Sequence, residues 1–161
     1  MTSENRPASW LDSDTFRQIV AGTPLISIDL IVRNEQGQVL LGQRLNRPAQ
    51  GYWFVPGGRV RKDERLDEAF IRLTQEELGV QLVLSDARFL GPFEHFYNDN
   101  FSGSDFSTHY VVLGYEMTLN TDDLSQLPAE QHGAYRWFDV ASLLQSEVVH
   151  SHTKLYFLHR T

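Results

Sequence analysis

The 161-residue chain is long enough for one domain that buries its own core and too short for two ordinary ones. With no cysteine it has no disulfide framework, no thiol nucleophile and no thiolate metal site. Its net charge of −7, from 21 acids and 14 bases, excludes general attraction to nucleic acid or an anionic membrane. A polyanionic ligand would need a divalent cation or a few placed arginines.

The first fifteen residues lack a basic start and an apolar run, and nothing approaches eighteen apolar residues in a row. The expected address is therefore cytoplasmic. Residues 13–21 read as a helix, with Asp12 or Ser13 as cap and Gly22 at its end. Residues 25–33 and 38–44 are β-rich runs around Asn34-Glu35-Gln36-Gly37, a hairpin pattern. Residues 46–58 look like loop, with Pro48, Gly51, Pro56, Gly57 and Gly58 around a short apolar piece. A strong helix pattern follows over 64–78, with Asp63 as cap and Gly79 as stop. Strands fit 80–84, 87–95, 108–117 and 134–138, with a polar, aromatic-studded loop at 97–107. Helices are expected near 139–146 and 153–160. This order predicts a single α+β domain over residues 1–161, an α/β/α sandwich.

The helix over 64–78 carries the sharpest chemical signal. At about 100° per residue, Leu66, Ala69, Phe70 and Leu73 form one apolar stripe. Glu77 falls inside that stripe and Glu76 on its edge, where Arg72 can pair with it. An inward carboxylate needs an arginine, backbone N–H groups or a hard divalent cation such as Mg²⁺. A lone glutamate could instead curl out past Gly79. The preceding Pro56-Gly57-Gly58-Arg59 favours a ligand, because paired glycines let backbone carbonyls approach one closely. Glycine turn, arginine and inward carboxylate together point to a phosphate–metal site. Residues 1–79 are nearly neutral and hold nine of the twelve arginines, whose planar fork suits phosphate oxygens.

Gly58 to Val80, GRVRKDERLDEAFIRLTQEELGV, resembles the Nudix box, with Gly58, Glu64, Arg72, Glu76, Glu77, Gly79 and Val80 in register. Two positions depart. Leu73 stands where the box has a second glutamate after its arginine, and Thr74 where it has an apolar residue. Further stretches, among them Leu41 to Arg44, Asn46 to Val60, His95 to Tyr97, Asp99 to Gly103, Thr108 to Gly114 and Glu130 to His132, are similar to the GDP-mannose mannosyl hydrolase branch of that family. The resemblance implies the Nudix fold, a central mixed β-sheet flanked by helices. It also implies Mg²⁺-dependent hydrolysis of GDP-mannose, and of GDP-glucose, to GDP and sugar, with water attacking the anomeric carbon and inverting it. One metal per site, with Mn²⁺ an alternative to Mg²⁺, and a homodimer belong to the same expectation; nucleic acid and membrane partners do not.

Carried over by position, the metal ligands would be the Gly57 carbonyl, Glu77 and Gln131. His132 would be the general base, its ordinary pKa suiting proton uptake near neutrality. Arg44 and Arg59 would grip the diphosphate. Trp10, Leu11 and Phe16 would hold the nucleotide, and His95 and Tyr110 would contact the leaving group or the sugar. Read without the resemblance, Trp10, Leu11 and Phe16 are equally a packing face, and His95 and Tyr110 ordinary strand aromatics. Asp29 interrupts the apolar run ISIDLIV. It is either an outward strand residue or an acid behind the site that holds an arginine or water. His109, His150, His152 and His159 carry no distinguishing pattern. The loop 97–107 could close over the sugar or be a solvated hairpin tip. The rival functions are a Nudix pyrophosphohydrolase attacking phosphorus and a non-catalytic nucleotide-sugar sensor.

Overall fold

The computed structural model describes residues 11–124, 127 and 132–158, with backbone alone for Asp123, His132 and Gly133. Of the expected site residues, Trp10 and Gln131 lie outside this set. Helix α1 (Ser13–Gly22) is capped by Asp12, whose Oδ1 accepts from the Thr15 N–H at 2.8 Å. Strands β1 (Leu25–Arg33) and β2 (Val39–Arg44) form the hairpin that the pattern predicts. The Asn34 side chain sets its turn by accepting from the N–H groups of Gln36 and Gln38 at 3.0 and 2.9 Å.

Beyond the turn the two strands separate. The edge of β1 is taken by β4 (Gly57–Arg59), with Asp29 opposite Gly57 and Ile28 opposite Gly58. The edges of β2 are taken by β3 (Trp53–Phe54) and β7 (His132–Phe138). On its other side β1 runs parallel to β6 (Thr108–Thr118), which pairs antiparallel with β5 (Arg88–Tyr97). The result is a seven-stranded mixed sheet. Helix α2 (Leu66–Leu78) covers one face over a core of Ile28, Leu30, Val32, Phe70 and Leu73. Helix α3 (Val140–Gln145) and the segment after it cover the other, over Ile31, Val39, Leu41, Val55 and Leu143. Each fully buried side chain of this size contributes about 1.5–3 kcal/mol. This is the expected α+β sandwich.

Four local expectations are corrected. Asp63 does not cap α2: it sits at φ 65°, a left-handed turn position, and Arg65 takes the cap, its N–H bound by Glu68 at 2.9 Å. Residues 80–84 form no strand, because Val80 and Leu82 turn inward onto the core and the Leu82 N–H donates to Thr74 Oγ1 at 3.0 Å. The segment 46–58, expected as loop, holds β3, paired with β2, and the two glycines of β4, paired with β1. The last helix starts earlier than expected, as α4 (Ser151–Lys154), and tightens into a 3₁₀ turn at Leu155–Phe157. Among the described residues no helix is long and apolar enough to cross a membrane.

Candidate active site

The site is built on the loop that joins β4 to α2. Arg72 reaches back from α2, donating from Nε to one Glu64 oxygen at 2.7 Å and from Nη2 to the other at 2.9 Å. Nη2 also donates to the Arg59 carbonyl at 2.9 Å, and Nη1 to Glu76 at 3.0 Å. The hydrogen bonds from Arg72 hold the Glu64 carboxyl below its usual range. Glu64 precedes the helix and is the strut that fixes the glycine strand to it.

Glu77 lies on the inner face of α2 and is 1% exposed, as the helical periodicity requires. One turn before it, Leu73 lies under Gly58 and is 2% exposed; a methyl on Gly58 would stand 2.5 Å from Leu73 Cδ2. Leu73 therefore fills the space beneath the loop with hydrocarbon. Thr74, the other departure, is fully buried but satisfied, donating to the Ile71 carbonyl at 3.0 Å and accepting from Leu82.

A cleft opens where β1 and β2 part. Two adjoining cavities, about 340 and 430 Å³, share the walls Arg44, Gly57, Gly58, Arg59 and Tyr110. Asp29 and His95 line the first; Leu11, Phe16, Glu76 and Glu77 line the second. Eight expected site residues besides Gly57 thus meet on one cleft: Leu11, Phe16, Asp29, Arg44, Arg59, Glu77, His95 and Tyr110. Arg44 lies over the Phe54 ring at 5.5 Å, and its buried Nε has no hydrogen-bond partner among the described residues. Arg59 lies over the Phe16 ring at 5.3 Å. His132 opens β7 in register with Arg44, which brings its backbone to the same wall.

Asp29 faces the cleft from the middle of the sheet. Burial pushes its carboxyl up to about 7 and nearby Glu77 adds to this, while Tyr156 and Arg44 pull the other way. The Tyr156 hydroxyl donates to Asp29 Oδ2 at 2.5 Å. His95 is 3% exposed, and burial with His152 and His150 alongside pushes it down to about 3. It stacks flat on His152, centroids 4.4 Å apart, and His152 Nε2–H donates to the Phe96 carbonyl at 3.0 Å. His150, His152 and Tyr156 thus form the back of the cleft. They share one short segment, but nothing local in it shows that it meets Asp29 and His95; only its position after a strand pattern ending at Phe138 hints at docking.

The loop 97–107 is neither free nor featureless. Arg17 of α1 binds Asp105 at 2.8 Å and the Ser102 hydroxyl, and Phe101 packs on Phe16 at 4.9 Å. Buried Asn100 organises it by donating to the Phe106 carbonyl at 2.8 Å and accepting from the Ser102 N–H at 2.8 Å.

Comparison with known proteins agrees with this arrangement. The family model for the NUDIX domain matches residues 23–158. The low-salt glycan biosynthesis protein Agl8 of Haloferax volcanii is 42% identical over 135 residues, 84% of this chain and 83% of its own. Among solved structures, the MutT protein of Methanosarcina mazei Go1 superimposes with TM-score 0.66 at 24% identity, covering 84% of this chain and 92% of its own. The MutT NUDIX hydrolase of Burkholderia pseudomallei gives TM-score 0.64 at 26% identity, covering 83% and 95%. Nudix hydrolases typically work with divalent metal ions. With the box, the fold and most of its length matched, this chain belongs to the NUDIX domain family and is a Nudix hydrolase.

Proposed function

We propose that the enzyme hydrolyses GDP-mannose, and GDP-glucose, to GDP and the free sugar, with water attacking the anomeric carbon and inverting it. The observation that carries this reading is Leu73. The box position that helps attack at phosphorus in ordinary members is here a buried hydrocarbon packed under Gly58. Attack at carbon has no need of a carboxylate there. The glycan-biosynthesis role named for Agl8 supports a sugar nucleotide as the substrate class.

The donors in the cleft suit a hard cation: a carboxylate 1% exposed beside a backbone turn free of side chains. Among the described residues no three His, Asp or Glu side chains cluster as a metal cage. Gly57 through its carbonyl, Glu77 and Gln131 would hold one Mg²⁺, with Mn²⁺ the alternative. When bound, that ion neutralises charge growing on the β-phosphate of departing GDP.

The chain's own groups do the rest. Arg44 and Arg59, on the wall shared by both cavities, donate to diphosphate oxygens, and the buried Arg44 Nε gains a partner. His132 accepts a proton from the attacking water. Asp29 orients that water or Arg44 from the cleft floor. Phe16 and Leu11, with Trp10, hold the nucleotide, while His95 and Tyr110 face the sugar end. The loop 97–107, pinned to α1, forms the rim. A homodimer accompanies this reading; Ile26, Phe89 and Phe96, each about half exposed, offer apolar surface for it.

Hydrolysis in ¹⁸O-water tests the proposal. Label in the released mannose is expected. Label in phosphate, with GMP and mannose 1-phosphate as products, overturns it in favour of attack at phosphorus. Tight GDP-mannose binding with no product in Mg²⁺ replaces catalysis by sensing.

A further inference from the structure

Asp29 has a glycine on each side of it in the sheet: Gly57 across the antiparallel ladder and Gly114 across the parallel one. The two gaps serve different ends. At Gly57 a methyl would stand 2.6 Å from Asp29 Oδ1, so that side stays clear toward the cleft. At Gly114 a methyl would stand 3.1 Å from Tyr156 Cε1 and 3.3 Å from Phe93 Cε2, so the tyrosine ring occupies the side-chain space Gly114 leaves open. Phe93 packs on that ring at 4.5 Å, 66° between planes. From there the hydroxyl donates to Asp29 Oδ2.

The tyrosine is itself firmly seated. The segment before it is anchored by Thr153, fully buried, whose Oγ1 accepts from the Val55 N–H at 3.3 Å. His152 adds its bond to Phe96. An aspartate carboxyl otherwise turns readily, because its terminal torsion has a broad profile. A short bond from a fixed phenol selects one orientation.

We propose that Tyr156 is a positioning residue: its hydroxyl fixes Asp29 Oδ2 so that Oδ1 is presented to the reacting end of the substrate, and Gly114 is the vacancy that admits its ring. The inference rests on the reading above in one respect, that Asp29 meets substrate or water. An oxygen held in advance loses less freedom on reaching the transition state, so the loss should fall on turnover and not on substrate binding.

Tyr156→Phe keeps the ring against Phe93 and Gly114 and removes only the hydroxyl. With GDP-mannose and Mg²⁺, kcat is expected to fall by roughly 10–50-fold while KM stays within about twofold. Added to Asp29→Ala, the same change should cost nothing further, since the two act as a unit. Unchanged kcat in Tyr156→Phe while Asp29→Ala is slow overturns the proposal, as do multiplicative losses in the double variant. Full turnover in Asp29→Ala removes Asp29 from the reaction and the proposal with it. A crystal structure of Tyr156→Phe gives a readout free of substrate: a rotated or split Asp29 carboxyl is expected, and one unchanged orientation overturns the proposal even if GDP-mannose is not the substrate.

Discussion

Arg72 takes both oxygens of Glu64 in its fork and, with the same Nη2, the Arg59 carbonyl. The side chains are 18% and 14% exposed, so the pair is shielded more than a surface bridge. One guanidinium thereby ties helix, loop and glycine strand into a single body that carries Gly57 and Arg59 to the cleft.

Arg72→Lys keeps the charge and loses the fork. Breaking one partner of such a part-buried set should cost about 2 kcal/mol, discounted for its residual exposure, or roughly 4–8 °C in Tm. Turnover should fall at least about tenfold, because the strand carrying Gly57 loses its tether. Thermal denaturation and steady-state rates on one preparation check both, and a variant as stable and active as the parent refutes the coupling.

Leu73→Glu restores the box residue that this chain lacks. The position is 2% exposed and packed against Gly58, in the cluster with Phe70 and Ile28. Burying a carboxylate there should lower stability by several kcal/mol or force its protonation. The variant is expected to melt far earlier and to release no GMP from GDP-mannose. Appearance of GMP would show that the leucine alone directs attack away from phosphorus.

Glu77→Gln preserves shape and removes charge. The rate in excess Mg²⁺ should fall by roughly 100-fold or more, and chelation by EDTA should reduce the parent to a similar level. Addition of EDTA to Glu77→Gln should then change little. Metal titration of the two proteins separates loss of the ion from loss of the fold.

The histidine stack gives a pH signature. His95 and His150 are held down to about 3 and about 4, burial being the main cause in each. Between pH 6.5 and those values the unfolded chain binds protons that the native state refuses, so their contribution to stability is intact above 6.5 and is lost as pH falls. Asp29, raised to about 7, runs the opposite way over part of that range. The informative quantity is therefore a difference. Tm of the parent minus Tm of His95→Gln should shrink by roughly 3–6 °C from pH 7 to pH 5. A difference independent of pH would mean that His95 is not held neutral.

How far the sequence discloses this arrangement depends on the range of the interaction. Glu77 is placed inside by helical periodicity, a regularity spanning four residues, and the structure puts it there. Asp12 and Gly79 cap their helices as local rules require. Asp63 looks like a cap by the same rules, yet the chain needs a left-handed turn there so that Glu64 can meet Arg72, a demand set eight residues away. The apolar run at 80–84 is β-like, but it closes over the end of the core instead of joining a ladder. The contacts of His95 with His152 and of Asp29 with Tyr156 have no local trace at all. They arise because β1, β5 and the last turn converge in space, which no periodicity records.

The bond from Tyr156 to Asp29 joins residues 127 positions apart. At ordinary rates of translation, roughly 5–20 residues per second, the acid is added to the chain some 6–25 s before its partner is made. The hairpin of β1 with β2 can form during that interval, and the parallel pairing with β6 soon after. The back wall of the cleft cannot. The hydroxyl that tethers Asp29 is thus made late, and the site is whole only once residue 156 has joined the fold.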